Sequence, residues 1–382
     1  MMHNLLFKIF LIFSTTLVIT LLILPQLSRI ASKTGLLDYP DANRKAHNNP
    51  EPLVGGLGMI IGFFLSCLLF SQLSGMWGFF GGVAILGVAG VLDDYKELNH
   101  RWKFVAQIIA SILMIYFNKT VLLTFGDLFS FGQIITGMFA IPMSMVATVG
   151  VINSINMIDG LDGLAGGISL IAFISFGIFS YINNQTDLML LSIALSGVVI
   201  AFLKYNWYPS KLFMGDAGSL FLGFSLTFLS LKVTQINGSH ISPVAPLLIL
   251  AVPIVDTITL MMKRTLKGKN PFKADKYHLH HILTRLGLDK NWTVKVILCV
   301  SVLFSCIAIV GTIAKIPEYY LFLVFITYFI LYIISSFYIK NILKFKIKLA
   351  GRIYEIFDPT RRSKNEHTLI AESKNLKRTI RR

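Results

Sequence analysis

The chain has 382 residues, 54% of them hydrophobic and 14% charged, with a mean hydropathy of +0.69. A soluble globular chain carries about a quarter charged residues, so this deficit, with long uninterrupted apolar runs, points to an integral membrane protein and sets aside a water-soluble enzyme. The net charge of +16 is not laid out for nucleic acid: thirteen Lys and Arg against four Asp and Glu lie after residue 339, and the rest cluster between apolar runs, the pattern of positive-inside bias and attraction to anionic lipid.

Backbone polar groups in lipid must bond within their own segment, and about 20 apolar residues cross the hydrocarbon, so helices are the expected spanning element. The ten-residue alternation of an outer-membrane barrel is not seen. The first run, 5–25, is too long for a signal-peptide core and lacks an A-x-A site, which predicts a retained helix. Further spans are expected at roughly 53–71, 76–92, 103–118, 132–152, 164–182, 188–205, 218–233, 244–262, 292–313 and 319–338. The fold class is therefore all-α, a polytopic bundle of about eleven transmembrane helices over 1–338, followed by a basic tail at 339–382.

The loops after the odd-numbered spans are polar and hold most of the Lys and Arg; only Lys119, Lys232 and Lys315 fall on the other side, near span ends where they can snorkel. The odd loops and the tail are thus expected to be cytoplasmic and the N-terminus outside. The tail, partly amphipathic at "YIKNILKFKIK", is expected to lie on the anionic inner leaflet. Cys67, Cys299 and Cys306 lie in apolar runs and read as small buried hydrophobes, with no disulfide framework and no CxxC spacing.

Apart from Asp127, Asp187 and Glu318, every acid falls in or beside the odd loops or in the tail, and so does every His except His3 and His240. An active site at one membrane face produces such a bias. A secondary transporter, the alternative from another class, would place ionisable groups near the midplane on broken helices, with internal repeats; no repeat is visible.

Taken in order, the first polar stretch puts Arg44, Lys45 and His47 before a Pro-rich turn and Gly55-Gly56. Next, Asp93 and Asp94 end an apolar run directly. Carboxylates at a membrane boundary are costly, about 2.5–3.5 kcal/mol for an Asp at a span centre and less at its end. Mg²⁺, or Lys96, Arg101 or Lys103, would relieve that cost. In "NSINMIDGLDGLAGG", Asn153, Asn156 and Asp159 follow i, i+3, i+6 and would share one helix face, and two Asp-Gly steps, the second at Asp162, give turns where backbone approaches a ligand closely. Amide and carboxylate oxygens suit Mg²⁺ or nucleobase and ribose groups.

Further on, Asp216 sits between Gly215 and Gly218, near Lys211, just before an apolar helix. It reads either as an N-cap or as part of a phosphate–metal site using the free N–H groups of the helix start. Asp256 lies inside the ninth span and is a candidate by its position alone, or a partner of Lys263 or Arg264. His278, His280 and His281, with Arg264, Lys267, Lys269 and Lys276 near, suit a polyanion such as a diphosphate better than zinc, for which the cysteines lie elsewhere. Together these loops fit Mg²⁺-assisted phosphoryl transfer between a water-soluble donor and a lipid acceptor.

The ordered set "RKAHNNPEPLVGGLGM", "LDDYKELNHRWKF", "NSINMIDGLDGLAGG", "FMGDAGSLFLG" and "HLHH" resembles the polyprenyl-phosphate N-acetylhexosamine-1-phosphate transferases. The single "HLHH", rather than three consecutive histidines, resembles the N-acetylglucosamine branch more than the muramoyl-pentapeptide branch. The resemblance implies Mg²⁺-dependent transfer of N-acetylglucosamine-1-phosphate from UDP-N-acetylglucosamine to undecaprenyl phosphate, with Mn²⁺ a substitute metal. That would be the first step of O-antigen, enterobacterial common antigen or teichoic-acid linkage synthesis, in the bacterial inner membrane with the site on the cytoplasmic face. Another UDP-N-acetyl sugar or the muramoyl peptide is the alternative, and a homodimer is one candidate assembly. By the same resemblance Asp216 is the principal Mg²⁺ ligand with Asn156 helping. Asp159 and Asp162 are nucleotide-pocket acids. Asp93 deprotonates or positions the lipid phosphate with Asp94 as partner, and Lys103 contacts phosphate. His278, His280 and His281 form the histidine motif, and Arg264 binds diphosphate.

Overall fold

The computed structural model describes residues 2–38, 50–69, 75–236, 238–269, 278–285 and 287–357. Among them the architecture is all-α, apart from a two-residue antiparallel pair, β1 (Leu37–Asp38) with β2 (Glu51–Pro52). The chain is integral to a membrane: eight helices are long and apolar enough to cross one. They are α1 (Met2–Thr34), α3 (Trp77–Lys96), α5 (Ala140–Ile158, with the 3-10 turn before it), α6 (Leu164–Ile182), α7 (Thr186–Asn206), α8 (Gly215–Thr234), α12 (Lys290–Ile313) and the first part of α13 (Glu318–Phe357).

Each of the eleven expected segments contains helix, and the three outside that group differ for separate reasons. Helix α2 (Gly55–Leu69) has only 15 residues. Helix α4 (His100–Asn118) opens on His100, Arg101 and Lys103. The ninth expected span is two helices, α9 (Ala245–Ile249) and α10 (Ala251–Thr265). Pro253 explains the break, because its ring nitrogen cannot donate to the carbonyl of Ile249, four residues earlier. The short α11 (Leu279–Arg285) precedes α12. Residues 132–139, expected in span five, instead form a β-bridge, Thr124 to Ile135, and the turn Gly137–Phe139.

The chain divides into two compact units, Met1–Tyr332 and Ile333–Arg382. In the first, α8 is the central post, packed on α3, α5, α2 and α6. Buried positions make up 94% of its apolar window, against 17% for α1. A helix apolar all round is what such a position requires. Its start is gripped at backbone distance: a Cβ at Gly56 would collide with the backbone of Gly218, and one at Gly90 with that of Ala217. Small residues permit that approach where lipid offers no hydrophobic drive between helices. Deeper in, Phe79 of α3 stacks on Phe228 of α8 with centroids 4.6 Å apart, beside Phe63 and Phe221. In the second unit the described residues continue α13 to Phe357; residues 358–382, with most of the basic tail, lie outside the described residues.

Candidate active site

The C-terminal ends of α3, α5, α7 and α10 and the N-terminal ends of α4, α6 and α8 meet at one end of the bundle. Three backbone hydrogen bonds between two stretches set the start of α8 there. Phe213 donates to Pro52 at 2.9 Å, Gly55 donates to Phe213 at 2.9 Å and Gly56 donates to Met214 at 2.8 Å. The "PLVGG" and "FMGD" stretches are therefore partners, although each reads alone as a loop.

Asp94, in the last turn of α3, accepts from the N–H of Asp216 at 2.7 Å and of Ala217 at 3.3 Å. Its side chain caps α8 from a neighbouring helix and favours that dipole end. Two corrections follow. Asp216 is no N-cap, because it lies in the first turn and Met214 holds the cap position. Nor are the N–H groups of Asp216 and Ala217 free for phosphate. Gly215 makes room: its φ is +69°, and a Cβ there would lie 2.5 Å from Asp94 Oδ2.

Lys103, in the first turn of α4, bridges two carboxylates: its ammonium lies 2.5 Å from Asp93 and is ion-paired with Asp216. Of the cations the sequence offered the boundary aspartates, this one is used; Lys96 and Arg101 are exposed. Asn156 donates through Nδ2 to Asp216 Oδ1 at 3.1 Å and to Ser219 Oγ at 2.9 Å. Asn153, expected on the same face, instead donates to Gln107 Oε1 at 2.9 Å and to the carbonyl of Val149 at 2.7 Å, tying α5 to α4. Sequence reading missed Gln107 and Ser219. Their signal was positional: Gln107 is one turn beyond Lys103, and Ser219 is three residues beyond Asp216.

Asp159 follows the end of α5 and is half-buried. Burial pushes its carboxyl up to about 7, aided by the carboxylates of Asp216, Asp94 and Asp162. Asp162 accepts from the N–H of Ser210 at 3.2 Å and so pins the α7–α8 loop. In that loop Trp207 lies over Gly163, where a Cβ would meet the indole at 2.9 Å. Lys211 is exposed, and no contact brings it to the carboxylates.

The histidines close the other side. His278 Nδ1 lies 2.8 Å from Asp256 Oδ2. The rings of His278 and His280 stack at 5.5 Å and 6°, and His281 is 4.2 Å from His280. His280 rests on the Asp159–Gly160 turn, where a Cβ on Gly160 would lie 2.6 Å from its Nε2. Only a glycine gives the ring that seat. Burial holds the His280 imidazole down to about 3, with His281 and His278 adding to the effect. It is therefore neutral at physiological pH. Arg264 is buried in the last turn of α10. Arg44, Lys45, His47 and Lys276 lie outside the described residues.

Among the described residues no three His, Cys, Asp or Glu side chains form a closed metal cage. Mg²⁺ is held by one or two carboxylates together with water and substrate phosphates rather than by an all-protein shell. The donor set fits: Asp216, the amide of Asn156 and Asp93, whose Oδ1 is buried with no hydrogen-bond partner. A hard divalent cation satisfies such an oxygen.

A helical membrane bundle that collects carboxylates, an amide, a lysine and histidines at one end defines a membrane phosphotransfer enzyme. The sequence profile described as glycosyl transferase family 4 matches residues 76–234. The chain is 35% identical over 359 residues to the probable undecaprenyl-phosphate N-acetylglucosaminyl 1-phosphate transferase of Bacillus subtilis (strain 168), covering 93% of this chain and 98% of that one. It is 33% identical to the undecaprenyl-phosphate alpha-N-acetylglucosaminyl 1-phosphate transferase of Haemophilus influenzae, covering 80% and 88%. To the protein of that name from Escherichia coli (strain K12) it is 30% identical, covering 80% and 84%. The chain belongs to glycosyl transferase family 4 and is a phosphoglycosyl transferase of the polyprenyl-phosphate N-acetylhexosamine-1-phosphate type. The transporter alternative falls with that membership.

Proposed function

We propose that the chain transfers N-acetylglucosamine-1-phosphate from UDP-N-acetylglucosamine to undecaprenyl phosphate, at the cytoplasmic face of the bacterial inner membrane. An oxygen of the lipid phosphate attacks the β-phosphorus of the sugar nucleotide. The bond from that phosphorus to the bridging oxygen breaks, and UMP leaves with the oxygen. The product, undecaprenyl-diphosphate-N-acetylglucosamine, would prime a surface glycopolymer. The carrying observation is the bridge of Lys103 between Asp93 and Asp216, with Asn156 on Asp216. It gathers one cation and several oxygen donors where two phosphorylated reactants would meet. The names of the relatives support this choice of substrates, and the one-sided Lys and Arg support the orientation.

When bound, Mg²⁺ on Asp216, Asn156 and Asp93 supplies neutralising charge for the diphosphate. Lys103 supplies a second cation for the phosphates, and Asp94 holds Asp216 in place. A phosphate monoester has a second pKa near 6, so the lipid nucleophile is mostly ionised at neutral pH. Asp93 therefore orients and balances charge rather than abstracting a proton. Asp159 and Asp162 flank the place expected for the nucleoside, and the neutral His280 has one ring N–H to donate to a phosphate oxygen. Purified protein, undecaprenyl phosphate, Mg²⁺ and a panel of labelled UDP-sugars test the reading. Lipid-linked product from UDP-N-acetylglucosamine with release of UMP is expected. Product from another sugar nucleotide alone would replace the donor, and none from any would end the reading.

A further inference from the structure

Asp256 stands apart from the Asp93–Lys103–Asp216 cluster, and only 1% of its surface is exposed. A carboxylate is withdrawn from water at tolerable cost only when donors surround it. Three do, from two parts of the fold. The His278 ring lies 2.8 Å from Oδ2, the N–H of Leu279 reaches Oδ1 at 2.9 Å, and the hydroxyl of Tyr332 on α13 donates to Oδ1. One side chain thus grips both the first residue of α11 and the imidazole before it.

An ionised carboxylate only accepts. Facing Asp256, Nδ1 of His278 must carry the proton, which leaves Nε2 on the far side of the ring. The plane of that ring lies within 6° of that of His280. His280 is 2% exposed, rests on Gly160, and keeps its Nδ1 buried without a partner. A buried nitrogen left unpaired is destabilising, and a hydrogen-bonding group brought by a ligand would remove that cost. The carboxylate, two parallel imidazoles and the Asp159–Gly160 turn form one continuous stack from α10 to α5.

We propose that Asp256, backed by Tyr332, is a positioning residue of the transferase: it holds His278 in the Nδ1–H tautomer and, through the His278–His280 stack, seats His280 on the Asp159–Gly160 turn to meet the sugar nucleotide. The inference rests on the transfer reaction proposed above. Carboxylate partners of functional histidines typically act by about 10–100-fold.

Two measurements decide it. In full-length protein labelled with ¹⁵N-histidine at mildly alkaline pH, the resonance lost in His278→Ala reports an Nδ1–H tautomer. Asp256→Asn moves it to Nε2–H, because the amide can turn an N–H toward the ring. In the transfer assay Asp256→Asn lowers kcat/KM about 10–100-fold, and Tyr332→Phe lowers it less. Both losses vanish in a His278→Ala background, as they must when one residue acts only through another. Additive losses, an Nε2–H tautomer in the unaltered protein, or full activity in Asp256→Asn overturns the assignment. If Asp256→Asn does not fold, Tyr332→Phe carries the same cycle. Absence of transfer by the unaltered protein would end the proposed reaction instead, and the tautomer measurement would still decide the role of Asp256.

Discussion

Lys103 and Asp216, 113 positions apart in sequence and on different helices, form an ion pair that Asp93 shares. The ammonium holds the Oδ2 atoms of both carboxylates together, so lysine and a metal would compete for the same two side chains. In Lys103→Ala the carboxylates lose their internal cation. Transfer should fall about 100-fold or more, as for loss of a group that stabilises developing charge. The same variant should gain more thermal stability from added Mg²⁺ or Mn²⁺ than the unaltered protein does, since ligand binding to the folded form raises stability. Equal metal-induced shifts in melting temperature would contradict the competition.

Metal removal gives the complementary result. EDTA should abolish transfer, and Mg²⁺ or Mn²⁺ should restore it. Asp216→Ala should stay inactive at every Mg²⁺ concentration, because it loses at once a metal oxygen, the partner of Lys103 and the acceptor of Asn156. Ordinary turnover in EDTA would remove the metal from the scheme.

Asp94 spends its oxygens on two backbone N–H groups of α8. Asp94→Ala should lower the melting temperature as loss of a helix cap does, by about 1 kcal/mol of stability. Asp94→Asn keeps an acceptor and should lose less. A variant Asp94→Ala as stable as its parent would show that the cap has no structural weight.

Gly160→Ala places a methyl group 2.6 Å from where His280 Nε2 now sits. The ring must move, so transfer should fall by about tenfold or more, as misplacement of about an ångström does. Combining it with His280→Ala should cost little beyond His280→Ala alone. Independent, multiplying losses would mean that the seat is not what Gly160 provides.

The Asp159 carboxyl, raised to about 7 from its ordinary 3.8, binds a proton in the folded protein that the unfolded chain releases. Its contribution to stability is present below pH 4 and is lost as pH rises through about 7. Asp159→Asn, which cannot ionise, should therefore be the more stable of the two at pH 8, with the advantage shrinking toward pH 5. Melting curves of both proteins across that range check the sign; a difference that does not change with pH would refute the shift.

The helices and the acidic face were legible in the sequence because lipid writes them plainly: apolar runs must be helical, and a boundary carboxylate such as Asp93 needs a cation such as Lys103. The family resemblance put Asn156 and Asp216 at one metal, and their side chains meet in a hydrogen bond. What stayed hidden depends on arrangements no local pattern encodes. Asp94 as a cap for another helix needs α3 and α8 side by side. Gln107 and Tyr332 sit inside apolar runs, where nothing separates a working polar group from one that hydrogen-bonds its own helix. Asn153 obeys the spacing of Asn156 yet turns to α4, since one helix face is broad enough to meet two neighbours. The break at Leu250 was within reach, because Pro253 was in view and an otherwise even apolar run disguised its effect.

Helix α8, walled in by its neighbours, presents almost nothing to lipid, whereas the windows of α1, α12 and α13 are mostly unburied. Bilayer thickness and lipid shape act on a protein through the helices they touch. A thinner or thicker membrane would therefore act first on those outer helices and last on the one bearing Asp216.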